Sequence, residues 1–161
     1  MGYEIERKFL VTPDWPKTSG TLYQQGYLQR SKGRIVRVRI AGQQGFLTVK
    51  GQAIPNDGNG IQRPEFEYSI PLSDAQMLLQ SLCEKPILEK IRHRISYQGW
   101  IWEIDEFLGL NQGLVVAEIE LPTSDACFPL PPWIGQEVSY DPRYFNSNLI
   151  VQPYSTWQFC I

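Results

Sequence analysis

Gly2-Tyr3-Glu4-Ile5-Glu6-Arg7-Lys8-Phe9-Leu10 alternates charged and apolar side chains. In an extended chain successive side chains point to opposite faces, so Glu4, Glu6 and Lys8 share one face while Ile5 and Phe9 share the other. The segment reads as a strand with one ionic and one apolar side. The pattern recurs: Arg37/Arg39, Glu65/Glu67, Lys90/Arg92/Arg94, Glu103/Asp105 and Glu118/Glu120 are each spaced by two, and Lys50 shares a face with Thr48. Val36, Val38, Ile40, Phe66, Ile91, Ile95, Ile104, Ile119 and Leu121 take the opposite faces.

Alternating or β-branched and aromatic runs near 3–11, 22–29, 34–41, 45–51, 64–70, 87–97, 100–107 and 114–121 predict about eight strands, each bounded by Gly, Pro, Asn or Ser. Gln98-Gly99 reads as a tight turn and 41–45 as a longer one, so the pairing is antiparallel. Helical spacing over 73–83, with Ser73 as the capping residue, predicts one helix that stops before Pro86. A second is expected over 143–151, with Leu149 and Ile150 facing inward. Residues 54–60 are almost all turn formers and read as a mobile loop. The apolar stretch Pro129-Leu130-Pro131-Pro132-Trp133 is expected to pack on the body while covering an opening. A single domain over 1–161 fits this length.

Composition removes several functional classes. Net charge is -2, which argues against a surface built to grip nucleic acid. Three scattered cysteines, Cys83, Cys127 and Cys160, suit neither a disulfide framework nor a CxxC zinc site, and a reducing cytoplasmic location is expected. His93 is the only histidine, so multi-histidine metal sites and His-based nucleophilic catalysis are disfavoured. No apolar run approaches the ~18 residues of a membrane helix, so no membrane partner is expected. The oligomeric state is left open, a homodimer included.

An antiparallel sheet with its polar side in water is the plain reading of alternation. The sorting of sign argues against it. Two glutamates at i and i+2 on one strand face are rooted about 6.7 Å apart, roughly 2.5 kcal/mol of repulsion at an effective dielectric near 20. The fold expected instead is mainly β: a closed eight-stranded antiparallel barrel with its charged face inward and helices packed outside. Such an interior is wet, because burying unpaired ions costs several kcal/mol apiece.

Oxygen donors without histidine or thiolate suit a hard cation, Mg2+ or Mn2+, on Glu4, Glu6, Asp105, Glu118 and Glu120. Lys8, Arg37, Arg39, Lys50, Lys90 and Arg92 suit a polyanion. Phosphoryl transfer needs positioning and charge neutralisation more than a covalent nucleophile, so hydrolysis of a triphosphate is the simplest chemistry.

Glu4-Ile5-Glu6-Arg7-Lys8 resembles the ExExK signature of the CYTH superfamily, the triphosphate tunnel metalloenzymes. The likeness continues through Arg37-x-Arg39, Thr48-Val49-Lys50, Glu65-Phe66-Glu67, Glu89-Lys90-Ile91-Arg92, Glu103-Ile104-Asp105, Glu118-Ile119-Glu120 and Asp141-Pro142-Arg143-Tyr144-Phe145-Asn146. The length and the segments Pro132-Trp133-Ile134-Gly135 and Arg143-Tyr144 look like the short bacterial inorganic tripolyphosphatases. The resemblance implies a Mg2+- or Mn2+-dependent triphosphatase acting on a triphosphate-containing small molecule. By it Glu4, Glu6, Asp105, Glu118 and Glu120 are metal ligands, Lys8 and the five other bases hold phosphates, and Lys8, Glu4, Glu6, Glu118 and Glu120 are central to catalysis. Glu65, Glu67 and Glu103 are supporting acids. Arg94 stands either at the tunnel mouth or in solvent, and Tyr27 either faces the bore or is a plain strand aromatic. Thiamine and nucleoside triphosphatases, class IV adenylyl cyclases of the same superfamily and a non-catalytic polyphosphate-binding module remain alternatives.

Overall fold

The computed structural model describes residues 2–31, 33–56 and 58–157. Asp57 of the turn-rich loop and Cys160 lie outside them. The strands are β1 (Gly2–Val11), β2 (Thr21–Gln29), β3 (Arg34–Ala41), β4 (Gln44–Gly51), β5 (Ile61–Ile70), β6 (Leu88–Tyr97), β7 (Trp100–Phe107), β8 (Val115–Glu120) and β9 (Ile134–Glu137). Strand order β5-β4-β3-β2-β6-β7-β8-β1, with β1 pairing back onto β5, closes an eight-stranded antiparallel barrel. The short β9 was not expected. It continues along the β1 edge past the end of β5, at Phe9 and Val11.

Two-residue turns set the register. Gln98 and Gly99 take φ of 47° and 83°, the backbone that suits the twist of a hairpin, and they pair Tyr97 with Trp100. Gly42-Gln43 is equally short, since Ala41 pairs with Gln44, so the longer turn expected over 41–45 is a tight one. Arg92 therefore stands opposite Asp105, and Arg37 opposite Thr48.

The apolar faces form cores outside the barrel. Phe9, Trp102, Ile104, Ala117, Ile119 and Leu121 are buried with Trp133, whose ring meets Trp102 edge-on at 5.8 Å. Each such side chain contributes about 1.5–3 kcal/mol on burial. Trp133 thus packs on the body as expected, in the outer core, and is not among the residues that line the bore.

Helix α1 (Leu72–Ser81) packs on Val38 and Ile40 through Ala75 and Leu79, joined by Cys83 just past its C-terminus. Its N-cap is Pro71, with no side-chain cap, so Ser73 lies in the first turn and does not cap the helix. Glycines make room for it. A Cβ at Gly26 would lie 2.9 Å from Cys83 Cβ, and one at Gly45 2.8 Å from Ala75 Cβ. Gly26→Val is expected to overpack this seam by about 1–3 kcal/mol. Thermal unfolding will show it as a lowered midpoint.

The second expected helix is shorter than 143–151. A 3-10 turn at Pro142–Tyr144 precedes α2 (Asn146–Leu149), and Leu149 and Ile150 are buried as expected. This segment does not pack only on the outside. Leu149, Ile150 and Tyr144 join Leu88, Phe107 and Val116, which stand on the inner faces of their strands, in an apolar cluster that closes one end of the bore. Around Asp57 the loop is tied down: Gly60 N donates to the Tyr140 hydroxyl (2.6 Å) and Asn59 N to Ser124 O (2.9 Å).

Candidate active site

One cavity of about 550 Å3 occupies the bore. Alternation carries Glu4, Glu6 and Lys8 from β1, Arg37 and Arg39 from β3, Lys50 from β4, Glu65 and Glu67 from β5, Lys90, Arg92 and Arg94 from β6, Glu103 from β7, and Glu118 and Glu120 from β8 to its wall. Tyr27 lines it at the closed end, 4% exposed, and accepts a hydrogen bond from Gln25 Nε2 at 3.1 Å. Burial pushes its phenol up. Arg94 stands at the rim, its side chain 66% exposed and 3.6 Å from Glu103.

Asp105 is the exception among the expected residues. It is 1% exposed and lies behind Arg92 and Lys90, not on the wall. Arg92 grips it bidentately (Nε–Oδ1 2.7 Å, Nη2–Oδ2 2.8 Å), and Lys90 Nζ is 2.8 Å from Oδ2. Burial opposes its charge, but Arg92 and then Lys90 outweigh that and hold the carboxyl well below the usual range. The expectation of Asp105 as a metal ligand finds no support in this position, because both of its oxygens are held by bases. Burial pushes Lys90 down to about 7 against the pull of Asp105, and its Nζ also reaches Asn146 Oδ1 at 2.9 Å.

The remaining bases are held apart and aimed. Arg39 Nη2 donates to Glu67 (3.1 Å), and Arg37 Nη2 donates to the Thr48 hydroxyl (3.2 Å), which in turn donates to Glu67. Burial, then Arg37 and Arg92, push Arg39 down to about 10. The Tyr23 ring lies under both Arg39 (5.1 Å) and Arg92 (4.9 Å). Nε of Arg37, Arg39 and Arg63 are buried without a hydrogen-bond partner. Orphaned guanidinium donors on a cavity wall fit an anionic guest.

Acids face acids on the other side. Glu6 is the cross-strand partner of Glu120, and Glu103 of Glu118. Partial burial raises Glu120, and Glu4, Glu103, Glu6 and Glu118 add to the rise. Burial also raises Glu4; Lys50, 3.2 Å away, opposes this, while Glu65 reinforces it by hydrogen bond and charge. Among the described residues no three acidic, histidine or cysteine side chains converge on one point. A wall of spread, mutually repelling oxygen donors fits a hard divalent cation that keeps part of its water shell and takes only one or two carboxylates.

Arg63, Tyr23, Phe145 and Asn146 are among the wall residues to which sequence reading assigns no site role. Tyr23 shares parity with Tyr27 and was open to inference. Arg63 precedes Pro64, and a proline reads as the first residue of a strand, so the sequence places the start of the strand at 64. Phe145 and Asn146 reach the bore only through the tertiary fold, as the C-terminal segment closes it.

The CYTH domain family matches residues 2–151. An inorganic triphosphatase from Acetivibrio thermocellus is 51% identical over 160 residues, covering 98% of this chain and 99% of its own. Another, from Nitrosomonas europaea, is 36% identical over 152 residues, covering 91% and 95%. The solved structure of the inorganic triphosphatase NE1496 superposes with a TM-score of 0.64 at 33% identity, covering 91% of this chain and 97% of that one. The fold, charge sorting and matched length agree, and the chain belongs to the CYTH domain family.

Proposed function

We propose that this chain hydrolyses inorganic tripolyphosphate to pyrophosphate and orthophosphate. The observation that carries this reading is one cavity wall split into a basic part with orphaned guanidinium donors and an acidic part where carboxylates face one another across paired strands. The inorganic triphosphatase relatives support the choice of a substrate with no organic group.

Lys8, Arg37, Arg39, Lys50, Lys90 and Arg92 bind the phosphate oxygens and draw charge away from the phosphorus under attack. Asp105 positions Lys90 and Arg92, and Glu67 positions Arg37 and Arg39. Glu4, Glu6, Glu118 and Glu120, with Glu65 and Glu103 beside them, would hold Mg2+ or Mn2+. Such an ion when bound neutralises phosphate charge and acidifies coordinated water. The same carboxylates orient the attacking water by accepting its hydrogen bonds. A new P–O bond forms from the water oxygen, and the bridging P–O bond breaks.

Release of phosphate from tripolyphosphate, ATP and thiamine triphosphate, each with Mg2+, Mn2+ or EDTA, tests the reading. Tripolyphosphate with a divalent ion is expected to give the highest kcat/KM, and EDTA no release. Tight tripolyphosphate binding without turnover would replace the enzyme by a polyphosphate-binding module.

A further inference from the structure

Lys8, Arg37, Arg39, Lys50, Lys90, Arg92 and Arg94 each have a carboxylate oxygen within 4.0 Å. Arg63 is the other base on the cavity wall, and among the described residues its side chain has no ion pair and no hydrogen bond. Its cross-strand neighbour is Glu4, yet that carboxylate turns to Lys50 instead. What Arg63 does contact is an aromatic face: its guanidinium carbon lies 5.7 Å from the centroid of Phe145, and Lys8 Nζ lies 5.6 Å from the same ring. Two cations converge on one ring at the closed end of the bore. Their charges oppose each other, for Arg63 pulls against the protonation of Lys8.

A guanidinium without a counter-ion beside a second cation, its Nε buried and unpartnered, leaves uncompensated positive charge at this point of the wall, which favours an anion there. The ring seats the cation by a cation–π contact without neutralising it, leaving the guanidinium donors free. We propose that Arg63 is a further substrate-binding residue, which grips the phosphate leading into the closed end of the cavity while Phe145 seats its guanidinium. Resting on the tripolyphosphate reading, it adds a base from β5 to those of β1, β3, β4 and β6. Phe145 ties that grip to the C-terminal segment.

The test compares wild type with Arg63→Met, which keeps the aliphatic stem over Phe145, with Arg63→Lys, which keeps charge but loses the fork, and with Phe145→Leu. Tripolyphosphate binding is measured by calorimetry in EDTA, followed by steady-state phosphate release with Mg2+. Arg63→Met is expected to weaken Kd and raise KM about tenfold, with kcat within threefold of wild type. Arg63→Lys should recover part of the loss, and Phe145→Leu should show a smaller loss of the same kind. Wild-type Kd and KM in Arg63→Met would overturn the proposal. So would a lowered unfolding midpoint with unchanged Kd, which makes Arg63 a packing residue. Wild-type protein that neither binds nor cleaves tripolyphosphate would instead overturn the underlying function.

Discussion

Asp105→Ala is expected to lower the unfolding midpoint by about 6–20 °C and to remove most tripolyphosphate hydrolysis, although Asp105 does not reach the cavity wall. Removing one member of a buried ion pair leaves its partners charged and desolvated, at about 3–5 kcal/mol, and a chain of this size loses about 2–4 °C per kcal/mol. Here two bases are orphaned, Arg92 and Lys90. Arg92 keeps its charge and swings toward Glu103 or Glu118, which lie 3.5 and 3.9 Å away in the wild type. Lys90 already sits near 7 through burial, and without Asp105 it is neutral at neutral pH. Its folded value lies below the ordinary 10.5, so the unfolded chain binds the extra proton and the variant gains stability as pH rises from neutrality toward 10.5. Differential scanning calorimetry across that range and phosphate-release assays at pH 7 check both halves. A variant with wild-type stability and activity would show that the buried pair positions nothing.

Sequence alternation revealed the inner face of the barrel because side-chain parity is local: once Glu4-Ile5-Glu6-Arg7-Lys8 is extended, Glu4, Glu6 and Lys8 must share a face. Parity does not say how deep along that face a residue lies. Glu103 and Asp105 have the same parity, yet one lines the cavity and the other is buried beneath two bases. The turn carries the further signal, through the register it sets. A two-residue link at Gln98-Gly99 pairs Tyr97 with Trp100, and counting back sets Arg92 against Asp105 and Arg94 against Glu103. That register, available from sequence, predicts which acids serve the bases and which remain free. The closed end was not legible. Leu149 and Ile150 signal burial, but nothing local says that they bury against Leu88 and Phe107 inside the barrel and bring Phe145 to the wall. β9 is likewise a product of the β1 edge left unpaired beyond β5, and its four residues carry no alternation of their own.

Glu120 makes the opposite prediction from Asp105. Glu120→Gln is expected to cut kcat/KM for tripolyphosphate by roughly 10^2–10^3-fold, the scale seen when one group stabilising a developing charge is removed. The metal-free protein is expected to become slightly more stable. Glu120 faces Glu6 across the strand pair, and Glu4, Glu103 and Glu118 also repel it, with no base within ion-pair distance among the described residues. Glutamine keeps the shape and removes the repulsion. Because the residue is exposed, solvent screening holds the gain to about 0.5–1 kcal/mol. A carboxyl raised in the folded state binds its proton more tightly there, so the wild type recovers stability as the pH falls through that raised value. The advantage of the glutamine variant therefore fades as the pH falls through that raised value and is gone below the ordinary carboxylate value of 4.5. Unfolding in EDTA at pH 7.5 and pH 4 reads the stability half, and phosphate release with Mg2+ reads the other. Loss of activity together with loss of stability would make Glu120 a structural residue, and full activity would remove it from the acid wall's chemistry. Activity falling while stability rises is the signature of a carboxylate kept against the preference of the fold for the ion it would hold.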